Sequence, residues 1–389
     1  MRILLAESFS YFGLGGAAKV CRELIQGLAQ QGHSCAVVSI EDRHEIAAAK
    51  GLQPGNTPGV TRFEADGIQI FASDKDKDQW RPMSECLRTF KPDWVLISEV
   101  GVLLLAIAQE YDPSRIVLVV QSIITHMPTE SSGDMEEHIR SMLRNTRGIV
   151  TVSNYMRNYI KQWSGLDSTV LYLPSYGPGP YTHFHNFDSG YVLMINPCSY
   201  KGISIFLALA RSLPHVKFAA VPFWATTAED RAALMQLPNV TLIKPEPNLD
   251  EIFKQAKVLL VPSLWGEAFG LVVGDAMLRG IPVLASNAGG LPESKLGVDY
   301  VLPVNMIERY VLDSDGEVKS VVPVQYASMW LKALNDVITD RALYERLSLA
   351  SREAALSFVD NLGPHHFEHY LEGLGATGQR AGAASAAAK

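Results

Sequence analysis

The chain has 389 residues, 47% apolar and 19% charged, with 34 Lys plus Arg against 41 Asp plus Glu for a formal net charge of -7. This excludes intrinsic disorder over the bulk of the chain and the basic stripe of a nucleic-acid binder, and it argues against a polybasic hold on anionic lipid. At ~100–200 residues per domain the length suggests two domains or three.

The first strand is expected at Ile3–Ala6; its apolar run stops at Glu7, too short for the core of a secretion signal. No stretch reaches the ~18 apolar residues of a membrane span, and Cys21, Cys35, Cys86 and Cys198 lack CxxC spacing, as reduced thiols do. A soluble cytoplasmic protein is the expectation. Val20, Leu24, Ile25 and Leu28 then recur at helical spacing across Ala17–Gln31, closed by Gly32. Further strands are expected at Cys35–Ile40, Ile68–Ala72, Trp94–Ser98, Ile116–Val120, Ile149–Val152 and Val170–Leu173. These runs are apolar without alternation, as parallel strands buried on both faces are. Repeated βαβ units imply a right-handed, doubly wound sheet.

A Pro/Gly cluster, Pro174–Tyr181, reads as an interdomain linker. After it the alternation restarts, with strands at Tyr191–Ile195, Val216–Val221, Val240–Ile243, Val258–Val261 and Pro282–Ala285. Two α/β domains so joined would face each other across a cleft, where open α/β sheets bind ligands. Gly373–Lys389 is Ala/Gly-rich and aperiodic, a disordered tail or an appended remnant.

Two sharper motifs are weaker than they look. Asp74-Lys-Asp-Lys-Asp78, with Glu85 at the twelfth place, mimics a calcium loop, but its sixth place holds Gln79 where glycine is needed. His365 and His369 lie one helical turn apart without a third ligand, and no metal site is expected there.

The segment from Val258 to Ala285 carries the chemistry. A buried strand leads to a loop ending Glu267-Ala-Phe-Gly270, then to a helix stopped by Gly280 and Pro282, then to another strand. The backbone N–H groups around Phe269, Gly270 and Leu271 would stand at the positive end of that helix, a ready anion site. Glu267 adds one carboxylate there, so a sugar phosphate suits the site better than a bare phosphate. Asp275, eight residues on, adds a second acceptor on an otherwise apolar helix, where an unpaired carboxylate is costly.

Trp265-x-Glu267-x-Phe269-Gly270 through Asp275, then Gly280-Ile-Pro-Val-Leu-Ala285 and Gly289-Gly-Leu-Pro-Glu293, resembles the signature of glycosyltransferase family 4. Asn196-Pro-Cys-Ser-Tyr-Lys201-Gly202 resembles the family's Gly-Arg-x-x-x-x-Lys-Gly stretch, with Asn196 in place of the arginine. Asp275 stands in place of the family's second glutamate. Gly15-Gly16 before the first helix and Val152-Ser153-Asn-Tyr-Met-Arg157 are further, looser matches. The resemblance runs to about residue 372.

It implies the GT-B fold: two Rossmann-like doubly wound domains facing across a cleft. Residues 1–178 would form the acceptor domain, joined by a final helix at about 361–372, and residues 179–360 the nucleotide-sugar domain. Retaining, metal-independent sugar transfer is implied, with a nucleotide-diphosphate sugar as donor substrate and no other cofactor. The implied acceptor is a small molecule, glycan or lipid-linked hydroxyl. Lys201 would neutralise the diphosphate, Glu267 would contact the transferred sugar, and Asp275 would hold the ribose. Gly15, Gly16, Asn196, Phe269, Gly270 and Leu271 would line the donor, and Pro245–Asn248 would border the base. His126 is the nearest match to the family's histidine at the donor sugar. Two alternatives stay open: a non-catalytic nucleotide-sugar-binding partner of a transferase, and a nucleotide-sugar epimerase of the same fold.

Overall fold

A computed structural model of the chain describes residues 1–13, 15–41, 53–55, 57–73, 78, 80–98, 102–123, 133–173, 175–312, 318–363 and 365–375. The chain divides into two compact units. One holds the described residues of Met1–Thr125, Gly133–Gly177 and Leu362–Lys389, and the other those of Pro178–Asn361.

Among its described residues the first unit has nine strands: β1 Arg2–Ala6, β2 Ser34–Ile40, β3 Gln53–Pro54, β4 Val60–Ala65, β5 Ile68–Ser73, β6 Trp94–Ser98, β7 Ile116–Val120, β8 Gly148–Thr151 and β9 Thr169–Val170. Their order is β3-β4-β5-β2-β1-β6-β7-β8-β9. From β5 to β9 every neighbour is parallel. The β3 and β4 strands, absent from the sequence reading, pair antiparallel at one edge. The turn between β4 and β5 is Asp66-Gly67, both left-handed at φ 53° and 76°, the turn that a two-residue hairpin favours. The last parallel strand stops at Val170 rather than Leu173.

Helix α1 spans Gly16–Gln30 and buries Ala18, Val20, Cys21, Leu24, Ile25 and Leu28 along one stripe. Helices α2 Trp80–Phe90, α3 Val102–Tyr111, α4 Gly133–Arg144 and α5 Asn154–Ser164 follow. Ser153 caps α5, its hydroxyl accepting from the Met156 N–H at 3.0 Å. The last helix, over 366–375, is tied to this unit by Arg147 donating to the Leu374 carbonyl at 2.5 Å and by His33 against Glu368 at 3.0 Å. His365 pairs with Glu368 at 2.7 Å, and its ring lies 6.0 Å from that of His369. Of the Asp74–Asp78 motif, residues 74–77 lie outside the described residues.

The second unit has six parallel strands: β10 Tyr191–Ile195, β11 Phe218–Val221, β12 Val240–Leu242, β13 Ala256–Val261, β14 Val283–Ser286 and β15 Val301–Leu302. The order β12-β11-β10-β13-β14-β15 reverses direction at β10, so β10 and β13 are neighbours across a topological switch point. Helices α6 Ile203–Ser212, α7 Ala228–Met235, α8 Leu249–Phe253, α9 Leu271–Leu278, α10 Leu291–Ser294, α11 Ser328–Thr339 and α12 Arg341–Asp360 belong to the same unit, as do β16 Tyr310–Leu312 and β17 Val318–Ser320, which pair antiparallel. Val192, Leu260, Phe206, Phe218, Trp330 and Leu334 are among the residues of its core. Among the described residues, no helix is long and apolar enough to cross a membrane.

Candidate functional site

The loop after β10 carries Asn196–Gly202, and the loop after β13 carries Pro262–Gly270. Because β10 and β13 are adjacent, the two loops leave the same carboxyl edge side by side. The Leu264 N–H donates to the Tyr200 carbonyl at 2.8 Å, joining them. Gly202, at φ +84°, turns the chain into α6, and a Cβ there would stand 2.0 Å from the Pro262 oxygen. Gly202→Ala is therefore expected to cost about 2–5 kcal/mol, from the left-handed backbone and the overpacking together. Urea unfolding checks this, and a change below about 0.5 kcal/mol, the range of an ordinary surface substitution, would show that the loops tolerate separation.

This close approach brings Lys201 to Glu267, with Nζ 2.5 Å from Oε1. The Ser263 hydroxyl donates to the same oxygen at 2.6 Å. Lys201 Nζ also lies 4.8 Å from the centre of the Trp265 ring, a cation–π contact. Glu267 is buried. Burial alone would push its carboxyl up, but the Lys201 ammonium and the hydrogen bonds from Lys201 and Ser263 outweigh this and hold it below its ordinary range. Its backbone is fixed as well, since the Gly290 N–H donates to the Glu267 carbonyl at 2.7 Å. A Cβ on Gly289, at φ +62°, would come within 2.3 Å of the Glu267 nitrogen. The glycine pair thus lets a second loop close on the first.

Helix α9 starts at this point. Gly270 precedes it at φ 89°, with no side-chain cap and no acidic residue in the first turn. The first N–H groups of a helix have no carbonyl within it to bond, so this end favours an anion.

The other expected site residues divide. The Phe269 ring stacks on Phe358 with centroids 5.7 Å apart, so the side chain is a packing element and its backbone alone adjoins the helix start. Leu271 is the first residue of α9. Asp275 is buried, and its carboxylate faces Arg279 at 3.6 Å, which in turn donates from Nε to Asp250 at 2.5 Å. The cost that made a buried carboxylate look functional is thus offset by an arginine one turn on. The i,i+4 spacing signalled that pair. Asn196, at φ 56°, uses its side-chain oxygen to accept from the Ala225 N–H at 3.2 Å and the Thr226 hydroxyl at 3.4 Å. It fastens the loop after β11. Asn248 caps α8 by accepting from the Asp250 N–H at 3.0 Å. Gly15 and Gly16 lie in the first unit, where Gly15 caps α1 in extended conformation and a Cβ on it would meet nothing within 4 Å. His126 lies outside the described residues.

Ser263 and Tyr200 escaped the sequence reading. Tyr200 lies 4.9 Å from the Trp265 ring and 6.4 Å from the Trp224 ring. Chemically the assembly offers a fixed carboxylate, an ammonium within reach of it, and helix amides, a set suited to hydroxyls beside a phosphate.

Residues 14–174 match the family model described as Glycosyltransferase Family 4, and residues 191–295 match that of Glycosyl transferases group 1. The D-inositol 3-phosphate glycosyltransferase of Corynebacterium diphtheriae is 30% identical over 116 residues, 30% of this chain and 23% of that protein. That of Streptomyces avermitilis is 30% identical over 130 residues, 33% of this chain and 24% of that protein. The chain thus spans about a quarter of the length of these curated relatives. Among solved structures, sucrose-phosphate synthase from Thermosynechococcus elongatus superposes with a TM-score of 0.68 at 17% identity, covering 98% of this chain and 99% of that one. Anabaena HepE in complex with UDP and glucose gives 0.68 at 16% identity, covering 96% of this chain and 100% of that one. At these identities the likeness carries the fold.

Proposed function

From a chain that belongs to the glycosyltransferases of the family 4 type and has the GT-B fold, we propose a specific reaction. A sugar passes from a nucleoside-diphosphate sugar to an acceptor hydroxyl, with retention at the anomeric carbon and without a bound metal. The observation that carries this reading is the Lys201–Glu267 pair at the head of the uncapped helix α9, on the switch-point edge of the second unit. The binding of UDP by HepE, a protein of the same fold, supports a nucleotide donor.

In this reading the donor lies in the second unit and the acceptor in the first. The sugar's hydroxyls donate to Glu267, while the diphosphate accepts from Lys201 and the first amides of α9. The diphosphate and Glu267 compete for one ammonium, so donor binding shares or opens the pair found in the free protein. The acceptor oxygen then bonds to the anomeric carbon as the bond from that carbon to the phosphate oxygen breaks. The acceptor's proton passes to the departing diphosphate. Charge gathers on that diphosphate, where Lys201 and the helix dipole offset it without moving. No side chain needs to act as a nucleophile.

The reaction is tested by nucleotide release from a panel of nucleotide sugars, with and without cell extract as an acceptor source, and by the anomeric configuration of the product. Because fixed protein charges do the neutralising, EDTA is expected to leave the dissociation constant of UDP nearly unchanged. A tenfold weakening by EDTA would put a metal between the diphosphate and the protein.

A further inference from the structure

We infer that Trp224, on the loop after β11, stacks on the nucleobase of the donor and completes a row running from Glu267 through Lys201 to the β11 end of the sheet. The inference rests on the nucleotide-sugar reading above. Trp224 is 63% exposed although its loop is held firmly. The Phe223 N–H donates to the Thr226 hydroxyl at 3.0 Å, and the Thr226 N–H donates back to the Phe223 carbonyl at 3.0 Å. Asn196 ties the same loop to the end of β10 through Ala225 and Thr226. The indole is therefore presented to solvent by a braced backbone. It adjoins Tyr200, which adjoins Trp265, which lies under the Lys201 ammonium.

Chemistry along the edge sorts the parts of a nucleotide sugar. At the end of β13, Glu267 and the uncapped start of α9 suit hydroxyls and an anion. At the end of β10, Lys201 suits the diphosphate. At the end of β11 the next helix is closed to anions: Thr227 and Asp230 cap α7 reciprocally, and Glu229 and Asp230 occupy its first turn. What remains there is a neutral, flat, exposed indole. A nucleotide sugar is linear, so a sugar at Glu267 and phosphates at Lys201 direct its nucleoside away from Glu267. The order β13-β10-β11 then delivers the base to Trp224. Asn196 thus acts as a brace behind the base platform.

The test titrates UDP, GDP and ADP, and inorganic pyrophosphate as a probe without a base, into the wild-type protein, Trp224→Ala and Trp224→Phe. Base–aromatic stacking predicts that Trp224→Ala weakens the preferred nucleoside diphosphate by about 5- to 150-fold. Pyrophosphate affinity and melting temperature should hold, and Trp224→Phe should recover most of the loss. Nucleotide affinity within twofold of wild type in Trp224→Ala, or an equal loss for pyrophosphate, overturns the stacking role and leaves the donor reading intact. A wild-type protein that binds none of the three nucleotides overturns both.

Discussion

Lys201→Ala is expected to lower turnover by about 100- to 1,000-fold, the scale for losing one fixed group that stabilises developing charge. Binding of the bare nucleoside diphosphate should weaken by roughly 10- to 150-fold, from a charge-assisted hydrogen bond of ~1.5–3 kcal/mol. The same substitution leaves Glu267 buried beside Ser263 and Trp265 without its ammonium. In the wild-type protein the lowered Glu267 carboxyl contributes stability that is present above its unfolded value of 4.5 and is lost as pH falls through the folded value. Without Lys201 that contribution disappears. The variant's deficit, about 1.5–3 kcal/mol at neutral pH, should shrink as pH falls, because burial pushes the carboxyl up once the ammonium is gone and the variant takes up the proton before the wild-type protein does. Urea unfolding at pH 7.5 and at pH 4, with UDP titration, reads both effects. Unchanged UDP affinity together with unchanged stability at pH 7.5 would reduce Lys201 to a bystander.

Glu267→Gln is expected to cut sugar transfer on a similar scale, about 100- to 1,000-fold, yet to spare the bare nucleoside diphosphate. Glutamine keeps the size but cannot hold the transferred sugar's hydroxyls as a carboxylate does. Freed from its partner, Lys201 is more available to phosphate, so UDP affinity should be equal or higher. Asp275→Asn should do the reverse, weakening UDP and UDP-sugar alike by roughly 10- to 150-fold if the ribose diol bonds that carboxylate. Arg279 complicates this variant, because it keeps Asp250 as a partner but loses the charge of Asp275. Asp275→Glu, the residue the family carries, tests whether one methylene more improves on the shorter acid. The measurement is a pair of dissociation constants per variant, with and without the sugar attached, plus the turnover rate. Equal loss of UDP binding in Glu267→Gln and Asp275→Asn would put both carboxylates in one subsite and end the division of roles.

Much of the site was legible because its signals are local. Glu267, the Gly270 turn and the helix stopped at Gly280 follow one another in sequence, and backbone conformation there answers to neighbours along the chain. The β4–β5 hairpin has a local signal of the same kind, Asp66-Gly67 between two strand-like runs, a strong short-range turn signal. Arg279, four residues after Asp275, likewise announced the pair that made a buried acid tolerable.

What the sequence alone determined is the apolar periodicity of each element, where the elements stop, and which residues bear charge at loop ends. The tertiary structure decided which of those residues meet. Lys201 and Glu267 are 66 positions apart, and only the strand order, with β10 set beside β13, brings them together at 2.5 Å. The same holds for Phe269, whose ring turns to Phe358, and for Asn196, whose amide oxygen turns to the β11 loop. A side chain bonds whatever lies within a few ångströms of it, and that distance is set by packing of the whole unit, which no local pattern encodes.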